Sequence, residues 1–415
     1  MSDNTFNKDE LEAPGWMNKS FFEGVLKKCE NTDVIVVNDI KMSPATAKGD
    51  HYASVMFRAT LGFDSKTTKG LTKSLIIKTM PQVEGHKMDL LKESFVFETE
   101  ISMYSKTIPM FEAELRKIGD NTVLGAKVLF HSLTPHKCII FEDIVPLGYQ
   151  TLKLRMADFE DSKAALLKLS KWHAVSYKLA AEGDTSLTDY KRGIFSLKEF
   201  ESSSIVKNGM KEFIAKCATV DELKQYVPKL QVIEKDLLNN CHKSFETYRQ
   251  LNAEGIFVLS HGDFHSKNMM FKKNSRGETE DVILVDFQLC YFGPAILDVI
   301  YGLYMLTNED VRQHHRDEFF NFYSSNFIET LKKLQFRGHI PKISDFFMDI
   351  LRHRHWELFL MSTFLPLWYA FDCKGMDPEE LLTSEDACKN LFKNDAYIEE
   401  VKRLLPMMFH RGYLE

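Results

Sequence analysis

Long apolar runs are missing from this sequence. The longest, Leu358 to Phe371, is interrupted by Ser362, Thr363 and Pro366. It falls short of the ~20 residues that a membrane-spanning helix needs, so it reads as a buried helix pair. Cysteine is sparse and scattered. The seven (Cys29, Cys138, Cys217, Cys241, Cys290, Cys373 and Cys388) are odd in number and include no C-x-x-C, which argues against a disulfide frame or a zinc cluster and for reduced thiols. No long basic run occurs, and the net charge is -6, so neither nucleic acid nor a membrane surface is expected as a partner. The first ten residues are polar with no apolar h-region, so no secretory signal is expected and the protein reads as cytoplasmic. Without a secretory route, the sequon Asn18-Lys19-Ser20 carries no expectation of a glycan. Internal repeats and low-complexity tracts are also missing.

What remains is a globular composition: 415 residues, 44% hydrophobic and 27% charged, enough for two or three domains or two large lobes. Helical spacing of Trp16, Phe21, Phe22, Val25 and Leu26 predicts a first helix. Strands are predicted at Asp33–Ile40, His51–Leu61 and Leu71–Thr79, with a turn over Ser43–Asp50. Met88–Lys106 has a helical pattern, with Pro109 ending it or starting the next piece. Val123–Phe130 and Lys137–Phe141 are two further strands. From about Pro146 the pattern turns helical. A long amphipathic helix is predicted over Met156–Ala181, capped by Asp158 or Asp161, and two or three more over residues 195–252. Short strands then return at Val258–Ser260, Met269–Lys272 and Val282–Val285, the last two joined by turn residues Asn274–Glu278. Helices dominate again from Gly293 onward.

The chemistry concentrates in one stretch, Leu259-Ser260-His261-Gly262-Asp263-Phe264-His265-Ser266-Lys267-Asn268-Met269-Met270-Phe271, and its sequel Val285-Asp286-Phe287-Gln288. Phosphoryl transfer needs few protein parts: a carboxylate that orients the attacking hydroxyl, and an amide oxygen and a second carboxylate that hold magnesium on the phosphates. Asp263, Asn268 and Asp286 supply these in kind and in order. Alone, Asp263 would be an ordinary turn residue after Gly262. His261 is expected to brace the loop rather than to react. Lys78, after Leu75-Ile76-Ile77, is a candidate to hold the α/β-phosphates, although a surface lysine at a strand end is the commoner situation. A partly buried lysine requires an acid. Glu100 is favoured over Glu98 and Glu93, because Phe97, Ile101 and Tyr104 share its helical neighbourhood. A glycine-rich phosphate loop is lacking. The hairpin Lys48-Gly49-Asp50-His51-Tyr52-Ala53-Ser54 has one glycine, so its amides and the Ser54 hydroxyl would cap a phosphate, or the segment is a plain turn.

Two decoys are set aside. His315-Arg316-Asp317 spells a protein-kinase tripeptide, but Phe322 stands where an Asn is needed. His314-His315 and His353-Arg354-His355 suggest a metal site, yet adjacent helical residues do not face one another. Trp356, Phe359, Leu360, Phe364, Trp368 and Tyr369 either wall an apolar acceptor pocket or pack a core.

The motifs HGDFHSKNMMF and VDFQ, with Gly293-Pro294 and Asp298, resemble the ecdysteroid kinase-like family, a branch of the aminoglycoside-phosphotransferase and choline-kinase superfamily. The stretches GDHYASVMFRATL, FETEISMY and IIFEDI extend the resemblance over roughly residues 10–410. It implies an α+β, two-lobed protein-kinase-like fold, with a β-rich nucleotide-binding lobe over 1–144 and a mostly helical catalytic and acceptor-binding lobe over 145–415. It also implies ATP and Mg2+ as cofactors, and phosphorylation of a small-molecule hydroxyl, in an ecdysteroid or another lipophilic or xenobiotic alcohol. By position, Asp263 becomes the catalytic base, and Asn268 and Asp286 the magnesium ligands. Lys78 becomes the phosphate lysine, with Glu100 its partner. Main-chain groups at Glu142 and Ile144 in the hinge Phe141-Glu142-Asp143-Ile144 would meet adenine, and Asp298 would brace the catalytic loop. His265 departs from the pattern, since family members often carry Trp there. The alternatives are a nucleotide-binding pseudokinase and a protein kinase. Gln288 after Asp286-Phe287 and the lack of an Ala-Pro-Glu segment speak against the latter.

Overall fold

In the computed structural model, residues 11–45, 54–81, 95–152, 156–250, 252–371 and 384–415 are described. The chain packs into two compact units, one of Met1–Met110, Val123–Gln150 and Ile283–Gln288, the other of Phe111–Thr122, Thr151–Val282 and Leu289–Glu415.

The first unit is built on a five-stranded antiparallel sheet. Its strands are β1 (Ile35–Pro44), β2 (Val55–Ser65), β3 (Leu71–Thr79), β4 (Val128–Ser132) and β5 (Cys138–Glu142), in the order β1-β2-β3-β5-β4. Strand alternation decides its faces. Phe57, Ala59, Leu61, Leu75, Ile77 and Ile140 point to one side, where they bury Phe22, Val25 and Leu26 of helix α1 (Lys19–Cys29). Asn18 caps α1 by accepting the Phe21 N–H at 3.1 Å. On β3 the next residue after Ile77 is Lys78, which therefore points to the opposite face. Helix α2 (Val96–Ser102) continues through a π-helical turn (Met103–Thr107) into α3 (Ile108–Lys117), so Pro109 neither ends nor starts the helical run but follows its π-helical turn. β1 runs to Pro44, past the expected turn at Ser43. As an edge strand it tolerates a proline, and its register shifts between Val37 and Asp39. The remainder of that turn, the start of the predicted strand at His51 and the first part of the predicted helix from Met88 lie outside the described residues.

The second unit is helical. Its long helix α4 (Phe159–Ala181) is capped by Asp158, which accepts the Asp161 N–H at 2.8 Å. Four short α-helices occupy residues 198–246 rather than two or three, because Ser203 and the loop before Val227 divide the apolar pattern. Strands β6 (Phe257–Ser260), β7 (Met269–Lys273) and β8 (Thr279–Leu284) follow as expected. A strand that the sequence pattern did not reveal, β9 (Tyr291–Pro294), pairs antiparallel with β6. Its fully buried residues show no alternation, which is the signature that periodicity uses. Helices α5 (Ala295–Met305), α6 (Arg316–Lys333), α7 (Ile343–Arg352), α8 (Arg354–Ser362), α9 (Phe364–Phe371) and α10 (Asp395–His410) follow, with shorter helices at Glu309–His314 and Glu385–Leu391. Arg316 of the rejected tripeptide is buried at the start of α6. Its guanidinium forks onto Glu357 (2.7 and 3.2 Å) and donates to the Tyr413 hydroxyl. No described helix is long and apolar enough to cross a membrane.

Candidate active site

In the first unit, Lys78 is 4% exposed, and its ammonium lies 2.7 Å from Glu100 Oε2 and 2.6 Å from Asp286 Oδ1. It also donates to Gln288 Oε1 at 3.4 Å. The Glu100 contact lies outside hydrogen-bonding angles, so it is electrostatic. Burial works against the Lys78 charge, but Asp286 and Glu100 together outweigh it and raise its pKa. Burial likewise pushes the Glu100 carboxyl up, against the pull of Lys78. Of the rival acids, Glu98 faces outward onto Lys137 at 3.0 Å, and Glu93 lies outside the described residues. Asp286 adopts a left-handed backbone (φ 66°), an uncommon conformation for a non-glycine residue. The neighbouring side chain anchors it: Phe287 packs edge-on against Tyr104, and Tyr104 against Phe141, each at 4.9 Å.

Ser54 is buried immediately before β2, while the rest of the expected phosphate hairpin lies outside the described residues. At the expected hinge, the Glu142 N–H donates to Lys127 O at 2.9 Å, and the Ile144 carbonyl accepts from Leu147 and Tyr149. No described residue is seen to accept from the Ile144 amide. Asp143, between them, is buried and accepts from Arg58 Nε (2.8 Å) and Ser74 Oγ (2.7 Å). Burial would raise its carboxyl, but those two donors outweigh it and lower the pKa.

In the second unit, β6 leads into the loop that carries Asp263. Gly262 makes the corner at φ +81°, and a Cβ there would run into the Leu289 carbonyl, so only glycine fits. Asp298 on α5 holds the corner from beneath, its two oxygens accepting the amides of His261 (2.6 Å) and Gly262 (2.9 Å). His173 of α4 adds a third contact at 3.3 Å from Nε2. Burial lowers the pKa of His173, so its ring is neutral, with one proton on Nε2 facing the carboxylate and Nδ1 accepting from the Tyr323 hydroxyl (2.7 Å). The same helix holds β6 itself. Trp172 Nε1 donates to Leu259 O, and Leu259 N donates to Ser176 Oγ, both at 2.6 Å.

Asp263 is then engaged from three sides. Tyr301 donates its hydroxyl to Oδ1 at 2.8 Å, and Asn268 donates Nδ2 to Oδ2 at 2.9 Å and to the Asp263 carbonyl at 3.1 Å. His265 Nδ1 accepts the Lys267 N–H, so the ring proton lies on Nε2, 3.4 Å from Oδ2. Burial alone would raise the Asp263 carboxyl. The His265 ring and the Tyr301 hydroxyl outweigh it and hold it at about 2. Burial, and then the Asp263 charge, push the Tyr301 hydroxyl well above its ordinary range, so it remains a donor. Rings surround this cluster. Tyr301 stacks on Trp356 at 6.2 Å and meets Phe364 edge-on at 5.7 Å, and His265 lies 6.2 Å from Trp368. The aromatic segment thus divides: Phe364 and Trp368 stand beside the Asp263 cluster, whereas Phe359 and Leu360 fill the core.

The oxygens on offer to a metal are hard donors. Asn268 commits its nitrogen to Asp263, which leaves Oδ1 for a cation, and Asp286 supplies a carboxylate. Each is a donor of the kind that magnesium accepts. No cluster of three or more His, Cys, Asp or Glu that would hold a metal unaided occurs among the described residues. Sequence reasoning missed Tyr301, His173, Gln288 and Asp143 as members of these clusters. Tyr301 was within reach, since Asp298 and Tyr301 stand three apart on one helix and so share a face. His173 was not, because its partner lies 125 residues away.

A β-sheet lysine paired with a helical glutamate, and an Asp-Asn loop braced by a helical aspartate, define a protein-kinase-like α+β fold. The family model described as the ecdysteroid kinase-like family matches residues 48–336, well over half of the sequence, and the chain belongs to that family. No curated protein matches. Similar solved structures include a microcompartment-associated aminopropanol kinase, 11% identical, covering 96% of this chain and 99% of that one, with a TM-score of 0.45. An aminoglycoside 2′-phosphotransferase IIIa variant bound to GDP is 10% identical, with 94% and 99% covered and a TM-score of 0.39. The choline kinase LicA from Streptococcus pneumoniae is 12% identical, with 92% and 99% covered and a TM-score of 0.33.

Proposed function

We propose that this protein transfers the γ-phosphate of ATP to a hydroxyl of a small molecule, an ecdysteroid or another lipophilic alcohol. The observation that carries this reading is the Asp263 carboxylate hydrogen-bonded to Asn268 at 2.9 Å within one rigidly braced loop. Asp263 receives the acceptor's hydroxyl. A carboxyl held at about 2 is a weak base, so it orients the hydroxyl first and takes the proton late, in keeping with a loose phosphoryl-transfer transition state. Asn268 and Asp286 would hold the magnesium ion, which would neutralise phosphate charge. Lys78 binds phosphate oxygens and is kept in place by Glu100. Ser54 caps a phosphate at the start of β2. The Ile144 amide and the Glu142 main chain receive adenine, and the Asp143–Arg58–Ser74 cluster keeps that turn in shape. The rings of Phe364 and Trp368 beside Asp263 suit an apolar, ring-bearing acceptor.

The test incubates purified protein with ATP, magnesium and a panel of ecdysteroids, plant steroidal alcohols and phenols, and reads product mass. Phosphorylated product that is lost in Asp263→Ala and on chelation of magnesium is expected. Nucleotide binding with no product across the panel would replace this reading with a pseudokinase.

A further inference from the structure

Helix α7 is amphipathic, and its apolar arc is wider than the side it buries. Here only one side is covered. Phe346, Asp349 and Ile350 face inward, whereas Ile343 (39%), Phe347 (38%), Met348 (49%) and Leu351 (39%) are exposed. At 100° per residue the outward arc runs Ile343, Phe347, Leu351, Ser344, Met348, an unbroken apolar stripe apart from one serine. Isolated exposed apolar residues need no explanation, but a contiguous stripe marks an interaction surface.

Basic residues outnumber acidic ones around the stripe. The segment entering α7 exposes Lys332, Lys333, Arg337, His339 and Lys342. Lys333 is neutralised by Glu329, and Arg352 at the far end by Glu254 and Asp349. Lys332, Arg337 and Lys342 form no ion pair with any described residue. Asp345, the acid in the first turn, accepts the Lys342 amide at 2.8 Å and keeps its charge, which the three basic residues without an ion pair outnumber. The basic residues dispersed along the sequence are thus gathered locally beside an apolar stripe.

We propose that α7 and the segment entering it form a docking face for an anionic lipid bilayer. Ile343, Phe347, Met348 and Leu351 enter the boundary between headgroups and acyl chains, and Lys332, Arg337 and Lys342 meet lipid phosphates. Charge complementarity selects this occupant. A second copy packed face to face would bring two basic rims together, and a bilayer of negative surface potential attracts them. For this one face, the local arrangement reverses the expectation of no membrane partner that whole-chain charge supports. The inference is independent of the phosphotransfer reading, although a lipophilic acceptor would be concentrated in the same bilayer.

The full-length protein is sedimented with extruded vesicles of phosphatidylcholine alone or mixed with phosphatidylserine. Binding to the mixed vesicles is expected to exceed that to phosphatidylcholine about tenfold or more, and to fall as salt is raised. The double substitution Phe347→Glu and Met348→Glu, and separately Lys342→Glu at an exposed position, should each lower vesicle binding about tenfold while leaving nucleotide affinity unchanged. The proposal is overturned if the wild-type protein stays in the supernatant with mixed vesicles, or if the charge-bearing variants sediment like wild type. It is equally overturned if the stripe proves to be a contact between copies, seen as a wild-type dimer that Phe347→Glu and Met348→Glu dissociate. Failure of phosphotransfer in the acceptor panel leaves vesicle binding untouched, so the two readings fail separately.

Discussion

Asp298→Asn tests whether the loop that carries Asp263 is held from α5. In the wild type the two carboxylate oxygens accept the His261 and Gly262 amides at 2.6 and 2.9 Å, inside a fully buried pocket that also holds His173. Asparagine is nearly isosteric but keeps one acceptor. Whichever way the amide turns, one backbone N–H loses a charge-assisted bond worth ~1.5–3 kcal/mol, and it now faces an NH2 group, a buried unsatisfied donor costing ~1–3 kcal/mol. Removing a buried charge returns part of its desolvation cost. The net expectation is a loss of about 3 kcal/mol, with the loop displaced at Gly262 and Asp263. Urea unfolding followed by the fluorescence of the buried Trp172 and Trp356 reads the first effect. ATP-dependent turnover reads the second, with a fall of about 100-fold, since a displacement near 1 Å is enough to cost that much. A variant that unfolds within about 0.5 kcal/mol of wild type, or that turns over normally, would refute the claim that these two amide bonds shape the site.

Lys78→Met should abolish turnover and cost roughly 3 kcal/mol in urea unfolding, because Glu100 and Asp286 would be left close together without their cation. Tyr301→Phe keeps the ring packing but removes the donor to Asp263 Oδ1. Turnover should fall about tenfold or more at unchanged nucleotide affinity. The same variant has a pH signature. Asp263, depressed from 3.8 to about 2, contributes stability that is full above pH 3.8 and lost as pH falls toward 2; the gap corresponds to ~2.4 kcal/mol, and Tyr301→Phe should narrow it in acid-unfolding curves. His353 behaves oppositely. It is buried with neither ring nitrogen hydrogen-bonded, and burial lowers its pKa from 6.5 to about 4. The fold holds the neutral ring, so stability is full above pH 6.5 and declines by up to ~3.4 kcal/mol as pH falls to 4, a decline that His353→Leu should remove. Gly262→Ala should fold poorly or lose turnover, since both its φ of +81° and the Leu289 carbonyl oppose a Cβ; wild-type turnover would show that the loop accommodates it.

Much of the site is legible in one dimension because its chemistry is local. Asp263 and Asn268 are five residues apart in one loop, so the hydrogen bond between them follows from the segment itself. β3 matched its expected bounds, Leu71–Thr79, because four β-branched residues (Thr72, Ile76, Ile77 and Thr79) and a polar turn leave no competing pattern. The pairing of Lys78 with Glu100 was legible in part: helical spacing favoured Glu100, but only the packing of α2 on the Lys78 face of the sheet sets Glu98 aside, by turning it out to Lys137. β9 escaped notice because a strand buried on both sides has no alternation.

The sequence by itself determined the kind of chemistry, through residue types and short spacings that need no fold to be recognised: an acid, an amide and a second acid in order, with a lysine closing an apolar strand. Tertiary structure alone decided how those groups behave. Asp263 is a low-pKa carboxylate because Tyr301, 38 residues away, and His265 both face it. Lys78 is shared between Glu100 and Asp286 because a strand, a helix and a left-handed turn from three separate segments meet at one ammonium. Asp298 meets His173 across 125 residues, and the stripe on α7 is exposed only because nothing in the described fold covers it. Burial, desolvation and long-range contact are properties of packed chains, and no reading of residue order contains them.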